Sequence, residues 1–185
     1  DKAVSYLPYR SEIGNIRLNK ETALAFKTRV ALFEGTWQKY HALDPQDPFA
    51  TPDANPDKYF SACIDAAEEL MTGSNYKVGI YNTGDPDRDY FKLFGRADMS
   101  GIDEILFYKT YNKDEGLPNS AQYQTTFYAN GKGVTWSLVS SYLDINGEPY
   151  DYLELSKTTK GNAFLEEIAN DCDPRLRSTI WIPGD

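Results

Sequence analysis

The chain has 185 residues, a net charge of −9 and no apolar stretch near the roughly 20 residues that a membrane-spanning helix needs. Its apolar fraction of 41% and charged fraction of 25% are typical of a globular protein and not of a disordered one. The negative charge and the scattered Lys and Arg residues argue against a nucleic-acid partner, because such proteins gather basic residues on one surface.

The first predicted element is an extended lead-in over residues 1–18, which show little periodicity. A helix should follow from Asn19, whose side chain can accept hydrogen bonds from the N–H groups of the first turn. The helix is expected to slacken at Gly35. Apolar residues spaced three and four apart form one stripe, which we expect to lie in the core: Phe26, Val30, Phe33 and Trp37.

A second helix is predicted after the proline-rich segment 41–55. Asn55 suits the cap position, Pro56 suits the first turn and Gly73 suits the end of the helix. Its apolar residues include Phe60, which we also expect in the core. The two helices should form an antiparallel helical hairpin over residues 19–76.

Residues 77–185 have a weaker and more mixed pattern. Strands are predicted for "EILFYKTYN" (104–112) and "RSTIWI" (177–182), because both are rich in aromatic and β-branched residues. "YFKLF" fits a short helix or strand, and "SLVSSYLDINGEPYDY" fits a short helix or strand followed by a turn at Asn146-Gly147. "GNAFLEEIANDCDPRL" predicts one more helix and a turn. The fold class is therefore mostly α with an irregular α+β portion, in which a loop-rich region (77–185) carries short strands and helices.

Catalytic residues are not predicted. His41 is the only histidine, and no motif near it supplies a nucleophile or a second acid–base group. Neighbouring carboxylates such as Glu166 and Glu167 lack the cross-cleft separation that glycoside hydrolysis requires. Asp171, Cys172 and Asp173 are interpreted as part of a turn in which Asp-Pro-Arg charges pair locally and hold the following strand.

Metal ligands and cofactors are not predicted either. Three alternate aspartates resemble the start of a calcium loop, but Tyr90 and Arg96 stand where that loop needs Gly and Glu. They are interpreted as a solvated acidic turn: Asp85, Asp87 and Asp89.

Aromatic residues are abundant in the glycine-rich middle of the chain. Flat rings displayed on loops can stack on the apolar faces of sugars, and loops carry function more often than the scaffold does. The alternative is that these rings cover a sheet beneath them. The candidate ligand-binding residues are Tyr111, Tyr123, Phe127, Tyr128 and Trp136.

Five segments, in order from Arg17 to Asp185, resemble the SusD/RagB family. "RLNKETALAFKTRVALFEGTW" is similar to the start of an internal helical repeat, and "YFSACIDAAEELMTGSNYKV" to the next helix with its glycine–tyrosine ending, here Gly73 and Tyr76. "YFKLF" with "DEILFYKTYN" resembles the pattern "lF…EiIf". "TWSLVSSYLDINGEPYD" resembles "pT…lv..Y…dG.p", with Val134 where Pro is common. "DPRLRSTIWIPGD" resembles "RDpR…ti..pG", with Cys172 in place of Arg.

The resemblance implies a SusD-like fold with a tetratricopeptide-type hairpin and a non-enzymatic function. Such proteins are lipid-anchored at the surface of the outer membrane of Bacteroidetes-type bacteria, bind glycans or in some members peptides, and cap a TonB-dependent transporter. Residues 1–185 would be the central part of one such domain, with the N- and C-terminal parts, the lipid anchor and a share of the core outside it. The family has no readable binding motif to carry over.

Two other functions fit the sequence. The main alternative is a helical-repeat module that receives a protein or peptide in the groove of its hairpin. A glycoside hydrolase is the other, and it predicts the release of reducing sugars from any glycan that binds.

Overall fold

The computed structural model describes residues 1–41, 44, 46–50, 52–127, 133–180 and 182. Helices make up 50% of the chain, which confirms the mostly helical fold. The described residues pair only as isolated β-bridges and form no longer strand: Asn112 with Leu117, Leu143 with Pro149, and Asp144 with Cys172. The chain divides into two compact units, residues 1–80 with 98–110 and residues 81–97 with 111–185.

The first unit begins with two short helices, α1 (Lys2–Tyr6) and α2 (Arg10–Ile13). The predicted extended lead-in is therefore wrong. Local and distant carboxylates hold the start of α2: Glu12 accepts from the Tyr9 N–H at 3.2 Å, and Glu21 accepts from the Arg10 N–H at 2.8 Å. Because these partners are side chains, hydrophobic periodicity does not reveal the helix.

The helical hairpin consists of α3 (Lys20–His41) and α4 (Pro56–Thr72), which pack against each other. Both predicted caps are confirmed: Asn19 accepts from the Thr22 N–H at 2.8 Å, and Asn55 accepts from the Lys58 N–H at 3.1 Å. The end of α3 meets the start of α4, where the Gln38 side-chain oxygen accepts from the Asn55 N–H at 2.8 Å. The helices are therefore antiparallel.

The predicted stripe on α3 does not lie in the core. Phe26 is 65% exposed and Phe33 is 66% exposed, and Trp37 is half-buried. The buried side of α3 is formed instead by smaller and polar residues: Glu21, Leu24, Ala31, Gly35 and Gln38. α3 thus packs through the side opposite its largest apolar residues.

Gly35 explains why α3 packs against α4 through this side. The helix does not slacken there, and a Cβ on Gly35 would lie 2.8 Å from the ring of Phe60. The absence of a side chain lets the half-buried Phe60 ring rest directly on the α3 backbone. The small residues of α3, and not its large ones, therefore determine where α3 and α4 approach each other.

Residues 98–110 run along this unit in an irregular path, so the strand predicted over 104–112 is wrong. The Arg10 guanidinium is buried and donates to the carbonyls of Ile102 and Ile105 at 3.2 and 3.0 Å. Asn15 also donates to Ile105, and Asn19 donates to the Leu106 carbonyl at 2.9 Å. Side chains of residues 10–19 satisfy the carbonyl groups that a neighbouring strand would satisfy in a sheet.

The second unit contains six helices in its described part. They are α5 (Asp89–Phe94), α6 (Ala121–Thr126), α7 (Trp136–Val139), α8 (Tyr152–Thr158), α9 (Gly161–Asp171) and α10 (Pro174–Thr179). Their core joins α7, α8, α9 and α10 through Val139, Tyr152, Ile168, Cys172 and Leu176. The helix predicted within "GNAFLEEIANDCDPRL" is confirmed as α9.

The strand predicted over 177–182 is wrong in its first half, because α10 continues to Thr179. Asp173 accepts from the Arg175 N–H at 2.9 Å and Pro174 is the first residue of α10, so the turn starts a helix. Trp181 lies outside the described residues.

The turn at Asn146-Gly147 is confirmed. The Asp144 carboxylate accepts from the N–H groups of Asn146 and Glu148 at 2.8 and 2.9 Å, and these bonds hold its pKa below the usual value. Gly147 has a φ of +85°, a conformation that favours glycine. The turn brings Pro149 and the start of α8 back beside α7.

Candidate functional site

The predicted aromatic residues fall at separate places in the second unit. Trp136 is the first residue of α7, Tyr123 lies in α6, and Phe127 follows α6 directly. The prediction that Trp136 and Tyr123 lie in loops is therefore wrong. Tyr111 lies in a loop and is exposed. Tyr128 lies outside the described residues.

Tyr123 and Phe127 form a stacked pair. Their ring centroids are 5.4 Å apart with only 10° between the planes, as the four-residue spacing along a helix allows. Phe127 is 74% exposed, so the pair presents a flat apolar surface.

Trp136 lies at a deeper site. Thr135 caps α7 by accepting from the Leu138 N–H at 3.2 Å, which fixes the backbone position of Trp136 at the start of the helix. The indole meets the Tyr152 ring edge-on at 5.6 Å and the Phe164 ring at 5.9 Å. The ring is nevertheless 47% exposed. Packed rings therefore hold one side of the indole while solvent reaches the other.

The exposed part of Trp136 lines a cleft of about 460 Å³, which falls within the size range of small-molecule sites. The other lining residues come from the end of α7 and the start of α8: Ser140, Pro149, Tyr150, Asp151, Tyr152 and Leu153. We call this the Trp136 cleft.

The polar groups of the Trp136 cleft suit hydrogen bonding to a ligand. Asp151 caps α8, with one carboxylate oxygen accepting from the Glu154 N–H at 2.9 Å, and it is exposed. Within the described part of the chain, its other oxygen has no protein partner. Ser140 adds a hydroxyl at the end of α7.

The two tyrosines of the cleft act as walls. Tyr152 donates to the Tyr142 carbonyl at 3.0 Å, and Tyr150 donates to Asp171 at 3.1 Å. Burial raises the pKa of the Tyr152 phenol above its usual value, and burial with the Asp171 hydrogen bond raises the pKa of Tyr150 to about 12. Both phenols are neutral at physiological pH, so neither can act there as a proton-accepting phenolate.

The Asp-Pro-Arg turn lines a second cleft, of about 320 Å³, with Tyr90 and Tyr142. Arg175 Nε donates to the two oxygens of Asp173 at 2.9 and 3.0 Å. This ion pair lowers the pKa of Asp173 and raises that of Arg175. The interpretation of locally paired charges is confirmed, although the element that follows is a helix.

His41 lies in the first unit, in an aromatic cluster. Its Nδ1 is 2.5 Å from an oxygen of Asp47, and its ring centroid is 4.1 Å from that of Trp37 and 6.1 Å from that of Phe49. The hydrogen bond with His41 lowers the pKa of Asp47. The sequence did not indicate this pair, because Asp47 belongs to the proline-rich segment where no periodicity applies.

The acidic turn is only partly solvated, which corrects the interpretation of Asp85, Asp87 and Asp89. Asp89 is buried and accepts from the Thr83 N–H and hydroxyl at 2.7 and 2.5 Å, which lowers its pKa. Asp85 pairs with Lys92 at 2.7 Å. Across the described ranges, no three His, Cys, Asp or Glu side chains lie together as a metal ion would require.

Sequence reasoning missed Ser140, Tyr150 and Asp151. The available signal was "PYDY", in which aromatic residues flank an aspartate, a residue type favoured at the start of a helix. Their place beside Trp136 depends on the turn at Asn146-Gly147 and on contacts with α9, which no local pattern encodes.

The chain matches no protein-family model, and comparisons with characterised proteins and with solved structures give no significant match. In the part of the chain that the structure describes, no helix combines the length and the apolar character needed to cross a membrane.

Proposed function

We propose that the chain binds a glycan without catalysing a reaction, and that the Trp136 cleft is the binding site. The observation that supports this most directly is the half-exposed indole at the edge of a cleft that also holds Ser140 and Asp151.

A sugar ring has an apolar face of C–H groups and a rim of hydroxyl groups. The indole of Trp136 offers a matching flat surface, and Tyr152 and Phe164 hold it in place so that little side-chain freedom is lost on binding. The Asp151 carboxylate can accept from sugar hydroxyls, while the Ser140 hydroxyl can donate or accept. The stacked Tyr123–Phe127 pair adds a second flat surface in the same unit.

The resemblance to SusD/RagB proteins supports a cellular role for this binding. In that role the protein captures an extracellular oligosaccharide or polysaccharide at the outer-membrane surface, held there by a lipid anchor, and passes it to a TonB-dependent transporter. Handover requires release, so we expect dissociation constants from micromolar to millimolar, about −8 to −4 kcal/mol.

The test is isothermal titration of the protein against a panel of polysaccharides and peptides. We expect at least one glycan to bind. Trp136→Ala should raise its dissociation constant roughly 30-fold, equivalent to about 2 kcal/mol, because the central ring of such a site carries much of the binding energy. Trp136→Phe should keep part of the affinity.

Phe91→Ala is the matched control, since Phe91 is an exposed ring of the same unit outside the Trp136 cleft. Binding that survives Trp136→Ala unchanged would reject the site, and a panel with no glycan bound would reject the function. Release of reducing sugars from a bound glycan would favour a glycoside hydrolase instead.

A second candidate function is protein or peptide recognition by the helical hairpin. The exposed stripe of Phe26, Val30 and Phe33 on α3 supports it, because a contiguous apolar helix face often marks a docking surface. The peptide arm of the same titration tests this candidate.

A further inference from the structure

The outer face of α3 combines exposed apolar residues with one basic residue. Arg29 follows Phe26 by three positions and precedes Phe33 by four, so the three residues share one side of the helix. Val30 and Leu32 are exposed on either side. Arg29 is exposed and makes no ion pair with any residue that the structure describes.

The outer face of α4 has the complementary pattern. Ile64 is 55% exposed and Met71 is 69% exposed. Glu68 lies four residues after Ile64 and three before Met71, and it is exposed. Glu68 likewise has no ionic partner in the described ranges. Asp57 and Asp65 add acidic charge to the exposed side of the same helix.

These two faces are on opposite sides of the same hairpin, since each helix uses its other side to contact its partner helix. One face is apolar with an unpaired cation, and the other is apolar with an unpaired carboxylate. A single hairpin leaves both uncovered, whereas stacking a second hairpin would cover one face of each.

We propose that the outer face of α3 docks against the outer face of α4 in a second copy of this chain, with Arg29 paired to Glu68 across the contact. Apolar contacts between the Phe26 and Phe33 rings and the Ile64 and Met71 side chains exclude water around that pair, which strengthens it. The contact joins two different faces, so each added copy presents a new free face, and the assembly grows either as an open filament or until it closes into a ring. This inference names a partner for the hairpin surface of the second candidate function, and it does not depend on glycan binding at the Trp136 cleft.

The test measures mass against protein concentration by sedimentation velocity. The unmodified chain should grow in average mass as its concentration rises. Arg29→Glu and Glu68→Arg should each lower the association constant about tenfold or more, because each places like charges opposite one another. The double variant R29E/E68R should restore association.

A mixture gives the sharpest readout. Chains carrying only Arg29→Glu and chains carrying only Glu68→Arg should each stay small alone but associate when mixed, because opposite charges then face each other at both contacts. A variant that had lost its fold could not be rescued in this way. Lys113→Glu is the control: it changes the net charge as much as Arg29→Glu does, at an exposed position outside the hairpin.

Several results would overturn the proposal. They are a chain that stays monomeric at every concentration, single variants that associate like the unmodified chain, and a mixture that fails to associate. If the monomeric chain instead bound an acidic amphipathic peptide on α3, the partner would be another protein. Each of these results leaves the glycan titration unaffected.

Discussion

Tyr150 connects the Trp136 cleft to α9 through a single hydrogen bond. Its phenol donates to Asp171 at 3.1 Å, and its pKa is raised to about 12, first by burial and then by that carboxylate. An unfolded tyrosine has a pKa of about 10. The folded chain therefore holds this proton more tightly than the unfolded chain does.

This difference predicts a stability loss at alkaline pH. A pKa raised on folding contributes stability that is complete below the unfolded pKa and disappears as pH rises through the folded pKa, here from about pH 10 to about pH 12. Tyr150→Phe should reduce the slope of the free energy of unfolding against pH in that window, as measured by urea unfolding at stepped pH. Tyr6→Phe, at an exposed tyrosine, is the control. Equal slopes for Tyr150→Phe and the unmodified chain would contradict the assignment.

Three buried polar residues stabilise the fold, although their residue types do not predict this role. Arg10, Asn15 and Asn19 are buried and donate to backbone carbonyls between residues 99 and 106. Arg and Asn lie on protein surfaces in most cases, so a sequence offers no reason to place them inside. The strand prediction over 104–112 failed for the same reason, since side chains supply the hydrogen bonds that the pattern assigned to a neighbouring strand.

The two helices of the hairpin were predicted well, because their boundaries are marked locally. Asn19, Asn55 and Pro56 act within one turn of the chain, so their effect can be recognised without knowledge of the fold. The face through which α3 packs could not be predicted in this way. It depends on how closely α4 approaches, and the contact of Gly35 with Phe60 decides that distance.

Gly35→Ala tests the close approach of the two helices. A new Cβ would lie 2.8 Å from the Phe60 ring, and crowding of this kind costs about 1–3 kcal/mol. Ala favours a helix over Gly by about 1 kcal/mol, so we expect a net destabilisation of up to about 2 kcal/mol. Urea unfolding measures the difference.

In the control, Gly35→Ala is introduced into a chain that already carries Phe60→Leu. With the ring removed, Gly35→Ala should become neutral or stabilising, because the helix preference then acts without opposition. A Gly35→Ala variant that is more stable than the unmodified chain with Phe60 present would show that the Phe60 ring moves aside without loss.

On the scale of the whole molecule, few large side chains are fully buried. Among the described residues, twelve apolar side chains are buried, and they are divided between the two units. The Phe26 and Phe33 rings on α3 are exposed and contribute to neither core. The candidate site shows a similar limit for prediction. Trp136 was nominated for a place in a loop but begins α7, and Ser140 and Asp151 lie beside it only because of the folded path of residues 140–152.

This limited burial predicts weakly cooperative unfolding. The urea dependence of the free energy of unfolding scales with the surface that unfolding exposes, so its slope should fall below that of a compact domain of 185 residues. The measurement is best made on dilute Arg29→Glu, in which self-association is suppressed. One sharp transition with the slope of a compact domain would contradict this expectation.

The central claim, glycan binding at the Trp136 cleft, is tested most directly by nuclear magnetic resonance of the indole N–H groups. The chain has three tryptophans, and Trp136→Phe identifies the signal of interest by its loss. During titration with an oligosaccharide that binds, we predict a saturable shift of the Trp136 signal with a micromolar to millimolar dissociation constant. A Trp136 signal that stays fixed while the oligosaccharide binds would contradict the account.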